Sequence, residues 1–183
     1  MSKFFFSLIL CLLAINTNSQ LIYRSVNSFG MIAGSKESKF QVLTTHGFQY
    51  KGWYAGIGTG VDNYHRRTVP VVFSLLRDIW PKKTMFLQTN IGAQFLWEDR
   101  PPASVNSLSY KAMPGFFAEA GAGFRINLGS EGQGILFGTY YSYKSLTEKA
   151  VFTRWCNNPP CSLLTEYYNA RLNRWAFKMG LVF

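Results

Sequence analysis

The stretch Arg174-Trp175-Ala176-Phe177-Lys178-Met179-Gly180-Leu181-Val182-Phe183 (RWAFKMGLVF) alternates without a break. Successive side chains of a β-strand project to opposite sides. Trp175, Phe177, Met179, Leu181 and Phe183 therefore share one face, and Arg174, Ala176, Lys178, Gly180 and Val182 share the other. A strand of a soluble sandwich turns its large apolar set inward. One strand does not decide which way the faces point. Repetition of small and ionic residues opposite large ones does.

The pattern recurs upstream. In Thr84–Trp97, Met85, Leu87, Ile91, Ala93, Phe95 and Trp97 alternate with Gln88, Asn90, Gly92 and Gln94. In Gly115–Asn127, Phe116, Ala118, Ala120, Ala122, Phe124 and Ile126 alternate with Glu119, Gly121, Gly123, Arg125 and Asn127. In Trp53–Tyr64, Trp53, Ala55, Ile57, Thr59 and Val61 alternate with Gly56, Gly58, Gly60 and Asp62. Lys39–Gln49, Val69–Ile79 and Gln133–Lys144 alternate less cleanly, and Leu21–Ala33 is the poorest. These segments make eight strand candidates. The connections at 50–52, 80–83 and 128–132 are short; those at 98–114 and 145–168 are long. Short turns at one end and longer loops at the other suit an antiparallel up-and-down barrel in an outer membrane. Closure follows from backbone accounting, because hydrocarbon leaves no solvent to satisfy an open sheet edge. An even strand number puts both termini in the periplasm. Trp53, Trp80, Trp97, Tyr64, Tyr143 and Trp175 lie near the strand ends, where interfacial aromatic girdles belong.

Composition agrees. The chain has 183 residues, with 15% charged, 17% aromatic and a formal net charge of +10. So many aromatics exclude a disordered chain. No repeated apolar runs of about 20 residues occur, which excludes a polytopic helical membrane protein. Lys3, the apolar run from Phe4 to Ile15 and the small polar Asn16–Ser19 read as a secretory signal peptide over residues 1–19. Residues 20–183 are then one domain. Cys156 and Cys161, in CNNPPC, are the cysteines outside that signal. Outside the cytoplasm such a pair usually oxidises, so a loop disulfide is expected in preference to free thiols.

Four stretches, WYAGIGTGVDNY (53–64), VPVVFSLL (69–76), GFFAEAGAGFRINLG (115–129) and RWAFKMGLVF (174–183), resemble the small eight-stranded outer-membrane barrels, OmpA/OmpX-like in architecture and of the Bacteroidota type. The resemblance is compositional and implies fold and outer-membrane location rather than an activity. It also implies that Trp175, Phe177, Met179, Leu181 and Phe183 form the terminal signal read by the barrel-assembly machinery.

The inward positions include Asp62, Glu119, Arg125, Lys144, Arg174 and Lys178. Eight strands enclose a lumen just wide enough for side chains to fill. Unpaired charges there are costly, so an ion network is expected, with Asp62, Glu119, Lys144 and Arg174 toward the outer half. Gly56-x-Gly58-x-Gly60 sits inside an alternating strand with no helix after it, which argues against a nucleotide loop. His46 and His65 are the two histidines. A lipid-modifying enzyme would need one of them. Two distant histidines are too few for a metal site. The dispersed cations suit anionic lipid head groups better than nucleic acid.

The expectation is therefore a non-enzymatic outer-membrane barrel of a Gram-negative bacterium, without cofactor or metal. It is structural, or binds a partner through its outer loops. Its partners would be outer-membrane lipids, the assembly machinery and an outer-membrane complex. The alternatives are a narrow, anion-leaning pore and, behind it, the lipid-modifying enzyme.

Overall fold

The computed structural model describes residues 21–33, 38–64, 66–79, 84–97, 109–129, 133–153 and 162–183. The described chain is all-β, in nine segments: β1 (Ile22–Ile32), β2 (Lys39–Tyr50), β3 (Trp53–Asp62), β4 (Thr68–Asp78), β5 (Met85–Leu96), β6 (Ser109–Met113), β7 (Gly115–Asn127), β8 (Gly134–Thr153) and β9 (Leu163–Val182). No described residue lies in a helix. The signal segment, His65, Trp80 and the Cys156–Cys161 pair fall outside the described residues.

Consecutive strands pair antiparallel from β1 to β5; β5 then pairs with β7, β7 with β8, and β8 with β9. β9 returns to β1, with Val26 opposite Val182 and Ile32 opposite Ala176. Ser25 and Phe183 exchange both backbone hydrogen bonds at 3.0 Å. The sheet thus closes as a ring of eight strands. β6 is an outward continuation of β7 rather than a ninth member. Both pair with β8, but Met113 faces Thr147 while Phe117 faces Lys144, so β7 holds one extra residue between them. This is a bulge at Pro114, which has no N–H for the ladder. The Ser145 Oγ accepts the Phe116 N–H there at 3.1 Å.

The hairpin between β2 and β3 turns on two residues, Lys51 (φ 46°) and Gly52 (φ 80°). Positive φ at both central positions matches the twist of paired strands, and glycine takes it without a steric penalty. The Lys51 carbonyl accepts a hydrogen bond from Arg77 Nη1 at 3.1 Å.

Two expected loops differ. The 145–168 segment is largely strand. β8 and β9 pair residue for residue from Gly134–Val182 up to Thr153–Leu163, well beyond Ile32–Ala176 where β1 stops. The last part of 98–114 is β6, paired with that same extension. On β8 one face of this ribbon is covered, with Leu146, Glu148 and Ala150 buried. On β9, Leu163, Leu164, Tyr167 and Tyr168 are exposed in adjacent pairs, so the apolar alternation breaks there although the ladder continues. Tyr64 is also corrected. It is buried inside the ring rather than placed in an outer girdle. Trp53, Trp97 and Trp175 are exposed on the outside.

The interior is packed with rings over glycines. Tyr54, Phe86, Phe117 and Tyr140 are buried. A Cβ on Gly56 would strike the Tyr54 hydroxyl, and one on Gly121 would strike the Tyr140 ring and the Thr139 carbonyl. The inward glycines make room for large neighbours in a narrow lumen.

Candidate functional site

Inside the ring, polar side chains stand in three tiers set by the strand directions. The lowest lies beside the short turns. Arg125 Nη1 donates to Asp78 Oδ2 at 3.1 Å, and Gln49 Nε2 donates to the same oxygen at 3.0 Å. Arg24 is buried at that level. In the middle, Glu119 Oε1 accepts from Lys178 Nζ at 2.5 Å and from Asn90 Nδ2 at 3.0 Å. Gln88 links this tier onward, donating to Ser74 Oγ at 3.1 Å and accepting from the Tyr140 hydroxyl at 2.8 Å. In the upper tier Lys144 is ion-paired with Asp62. The Asp62 carboxylate also accepts from Gln41 Nε2 at 2.9 Å and from the Tyr64 N–H at 2.8 Å. The Tyr64 ring lies under two cations, Lys144 at 5.5 Å and Arg174 at 5.2 Å.

Of the six interior charges named from the sequence, Asp62, Glu119, Arg125, Lys144 and Lys178 are buried. Arg174 is half-buried and rests on the Tyr64 ring. The sequence reading missed Arg24 and Asp78. Asp78 lies beside a turn, and Arg24 sits in the strand whose alternation is weakest. The signal that could have found Asp78 is its parity with Leu76 and Ser74 along β4. Each buried carboxylate of the ladder faces a cation, which offsets desolvation that an isolated charge could not survive.

Above the tiers, Arg66 Nη1 meets Glu148 Oε1 at 3.2 Å and also donates to the Tyr110 hydroxyl. This ties the β3–β4 connection to the ribbon. Burial pushes the Tyr110 hydroxyl well above the ordinary tyrosine range, and the Glu148 carboxylate adds to that shift. A cleft of 620 Å³ beside it includes Lys39, Asn63, Arg67 and Trp97. Arg67 Nε is held on Asn63 Oδ1 at 3.1 Å.

The outside is the reverse of the inside. Phe177 is 60% exposed, and Trp175, Met179, Leu181 and Phe183 share its face. Phe29, Phe48, Phe73, Ile91, Phe116 and Phe137 are likewise exposed on their strands. His46 also lies on the outside. Its Nδ1 is 2.7 Å from the Tyr23 hydroxyl and its Nε2 is 3.4 Å from Thr44 Oγ1. Both ring nitrogens thus face hydroxyls other than that of Ser25, its partner across the ladder. Among the described residues, no group of three or more His, Cys, Asp or Glu could hold a metal ion.

No protein-family model matches the chain, and no curated protein is significantly similar to it.

Proposed function

We propose that the ring is an eight-stranded outer-membrane β-barrel, made with a signal peptide, that acts without catalysis as a platform for partner binding. The observation that carries this reading is the inversion of polarity. Charges and amides fill the centre, while Phe, Ile, Leu, Val, Met and Trp stand exposed around the outside. In water such a surface would far exceed the apolar patches monomers tolerate. In a bilayer it is the favourable arrangement, and closure of the ring leaves no unpaired edge within the hydrocarbon.

The ribbon supports the binding role. β8 and β9 rise past the end of β1, and no described strand pairs with the outer edge of β9 over 163–174. Leu163, Leu164, Tyr167 and Tyr168 are exposed on it. A free strand edge with aromatic side chains is a ready contact surface. The tiers of interior ion pairs favour a filled lumen over a pore.

Fractionation tests the reading. The protein should enter the outer-membrane fraction, require detergent for extraction and migrate differently on gels before and after boiling. Recovery as a soluble, detergent-independent monomer would refute it. Replacing residues 150–166 by an Asn-Gly turn should leave the heat-modifiable band intact and abolish co-purification of the partner. Unchanged co-purification would refute the ribbon's role.

A further inference from the structure

Away from its two rims, the outside of the ring is almost wholly hydrocarbon. Among the described residues its polar exceptions are the separate threonines Thr59, Thr89 and Thr139, and one cluster on β1 and β2: Ser25, Asn27, Thr44 and His46. The cluster is contiguous, because Ser25 faces His46 and Asn27 faces Thr44 across the ladder.

Its hydrogen bonds run in one direction. The Tyr23 hydroxyl lies 2.7 Å from His46 Nδ1; with that hydroxyl as the donor, the imidazole proton sits on Nε2. That nitrogen faces Thr44 Oγ1 at 3.4 Å. The Thr44 hydroxyl donates to Asn27 Oδ1 at 2.5 Å, and Asn27 Nδ2 donates to Ser25 Oγ at 3.0 Å. The chain leaves the Ser25 proton and the second Asn27 amide proton as spare donors. The remaining lone pairs of the same two residues are spare acceptors. A surface holding both, without net charge, complements itself.

The shape is self-complementary as well. On one side of β2, across from His46, Ile57 is the most exposed large apolar residue at 71%. On the other side, a groove is lined by Asn27, Phe29, Val42, Thr44, Met179 and Leu181. A two-fold axis along the membrane normal and over β2 would bring each knob to the other copy's groove. The same operation would set the two polar seams against one another.

We propose that this seam is the contact between two copies of the chain within the membrane. The proposal rests on the reading of the ring as a membrane barrel. A lipid acyl chain could fill the groove but would leave the spare donors unmet. An unrelated protein would have no reason to match this chain's own knob. Hydrogen bonding across such seams holds membrane segments together, and a two-fold contact between copies inserted the same way up is isologous, each copy offering the same knob, seam and groove.

The test uses full-length protein, folded in phosphatidylcholine vesicles as separate donor-labelled and acceptor-labelled pools. Energy transfer should persist as the protein-to-lipid ratio falls and should be competed away by unlabelled protein. The combined variant Asn27→Leu, Thr44→Val, His46→Leu should weaken association about tenfold or more. Ile57→Ala, which touches none of the hydrogen bonds, should weaken it independently. Both variants should keep the heat-modifiable band, showing that the ring still forms and inserts. Transfer no greater than random proximity, or wild-type association in both variants, would overturn the proposal while leaving the membrane reading intact. Failure of the wild-type protein to insert would overturn both.

Discussion

Glu119 and Lys178 provide the sharpest test of a desolvated interior. Their side chains are 0% and 3% exposed and meet at 2.5 Å. Glu119→Gln keeps the shape and the oxygen that Asn90 reaches, but leaves the Lys178 ammonium facing a neutral amide. Stranding one charge of a buried pair costs about 3–5 kcal/mol. At about 1.4 kcal/mol per decade, that is a loss of two to more than three decades in the folding constant. Lys178→Met should cost a similar amount by stranding the carboxylate. The double variant removes both charges together and should sit within about 1–2 kcal/mol of wild type, since matched apolar replacements of buried pairs are often neutral. Urea titration of the heat-modifiable band measures all four proteins. With a slope of about 2 kcal/mol per molar urea, each single variant should shift the midpoint down by roughly 2 M. Single losses under about 1 kcal/mol, adding in the double variant, are the signature of solvent-exposed pairs. That result would mean a wet lumen, and it would favour the pore over the filled lumen.

Phe177→Arg should destabilise the vesicle-inserted protein by about 2–4 kcal/mol if the residue sits near the bilayer midplane. Phe177→Leu, measured in the same titration, should cost less than about 1.5 kcal/mol. Gly121→Ala should cost about 1–3 kcal/mol because its Cβ meets the Tyr140 ring. Combined with Tyr140→Ala, which removes the ring and leaves only the Thr139 carbonyl in the way, the loss should be smaller than the sum of the two single losses. Tyr110 has a raised folded-state pKa, so its contribution is intact below the unfolded tyrosine value of about 10 and declines as pH climbs above it. The protection of β6 amides relative to their intrinsic base-catalysed exchange should therefore fall in alkali, and Tyr110→Phe should flatten that dependence.

Period-two alternation made the strand identities legible, because strand side chains must point in opposite directions whatever the fold. It assigned Trp175, Phe177, Met179 and Leu181 to one face and Lys178 to the other, and the segment Gly115–Asn127 coincides with β7. Where alternation was blurred, the cause was chemical. β1 read poorly because its outer face carries Ser25 and Asn27 between Tyr23 and Phe29. The ribbon read as a loop because its buried face carries Glu148 between Leu146 and Ala150, and its β9 half exposes Leu163, Leu164, Tyr167 and Tyr168 in adjacent pairs rather than at alternate positions.

Local patterning could thus determine which residues share a face, and that ions and glycines oppose the bulky groups. It could not determine which strands meet, since pairing joins residues far apart along the chain. Closure by Ser25 and Phe183, the gathering of Asp78 with Arg125 and Gln49, the inward turn of Tyr64, and the chain from Tyr23 through His46 to Ser25 all depend on register between strands. Register is a property of the closed ring. A shift of one residue in any pair would turn a strand's charges outward and its aromatic residues into the lumen.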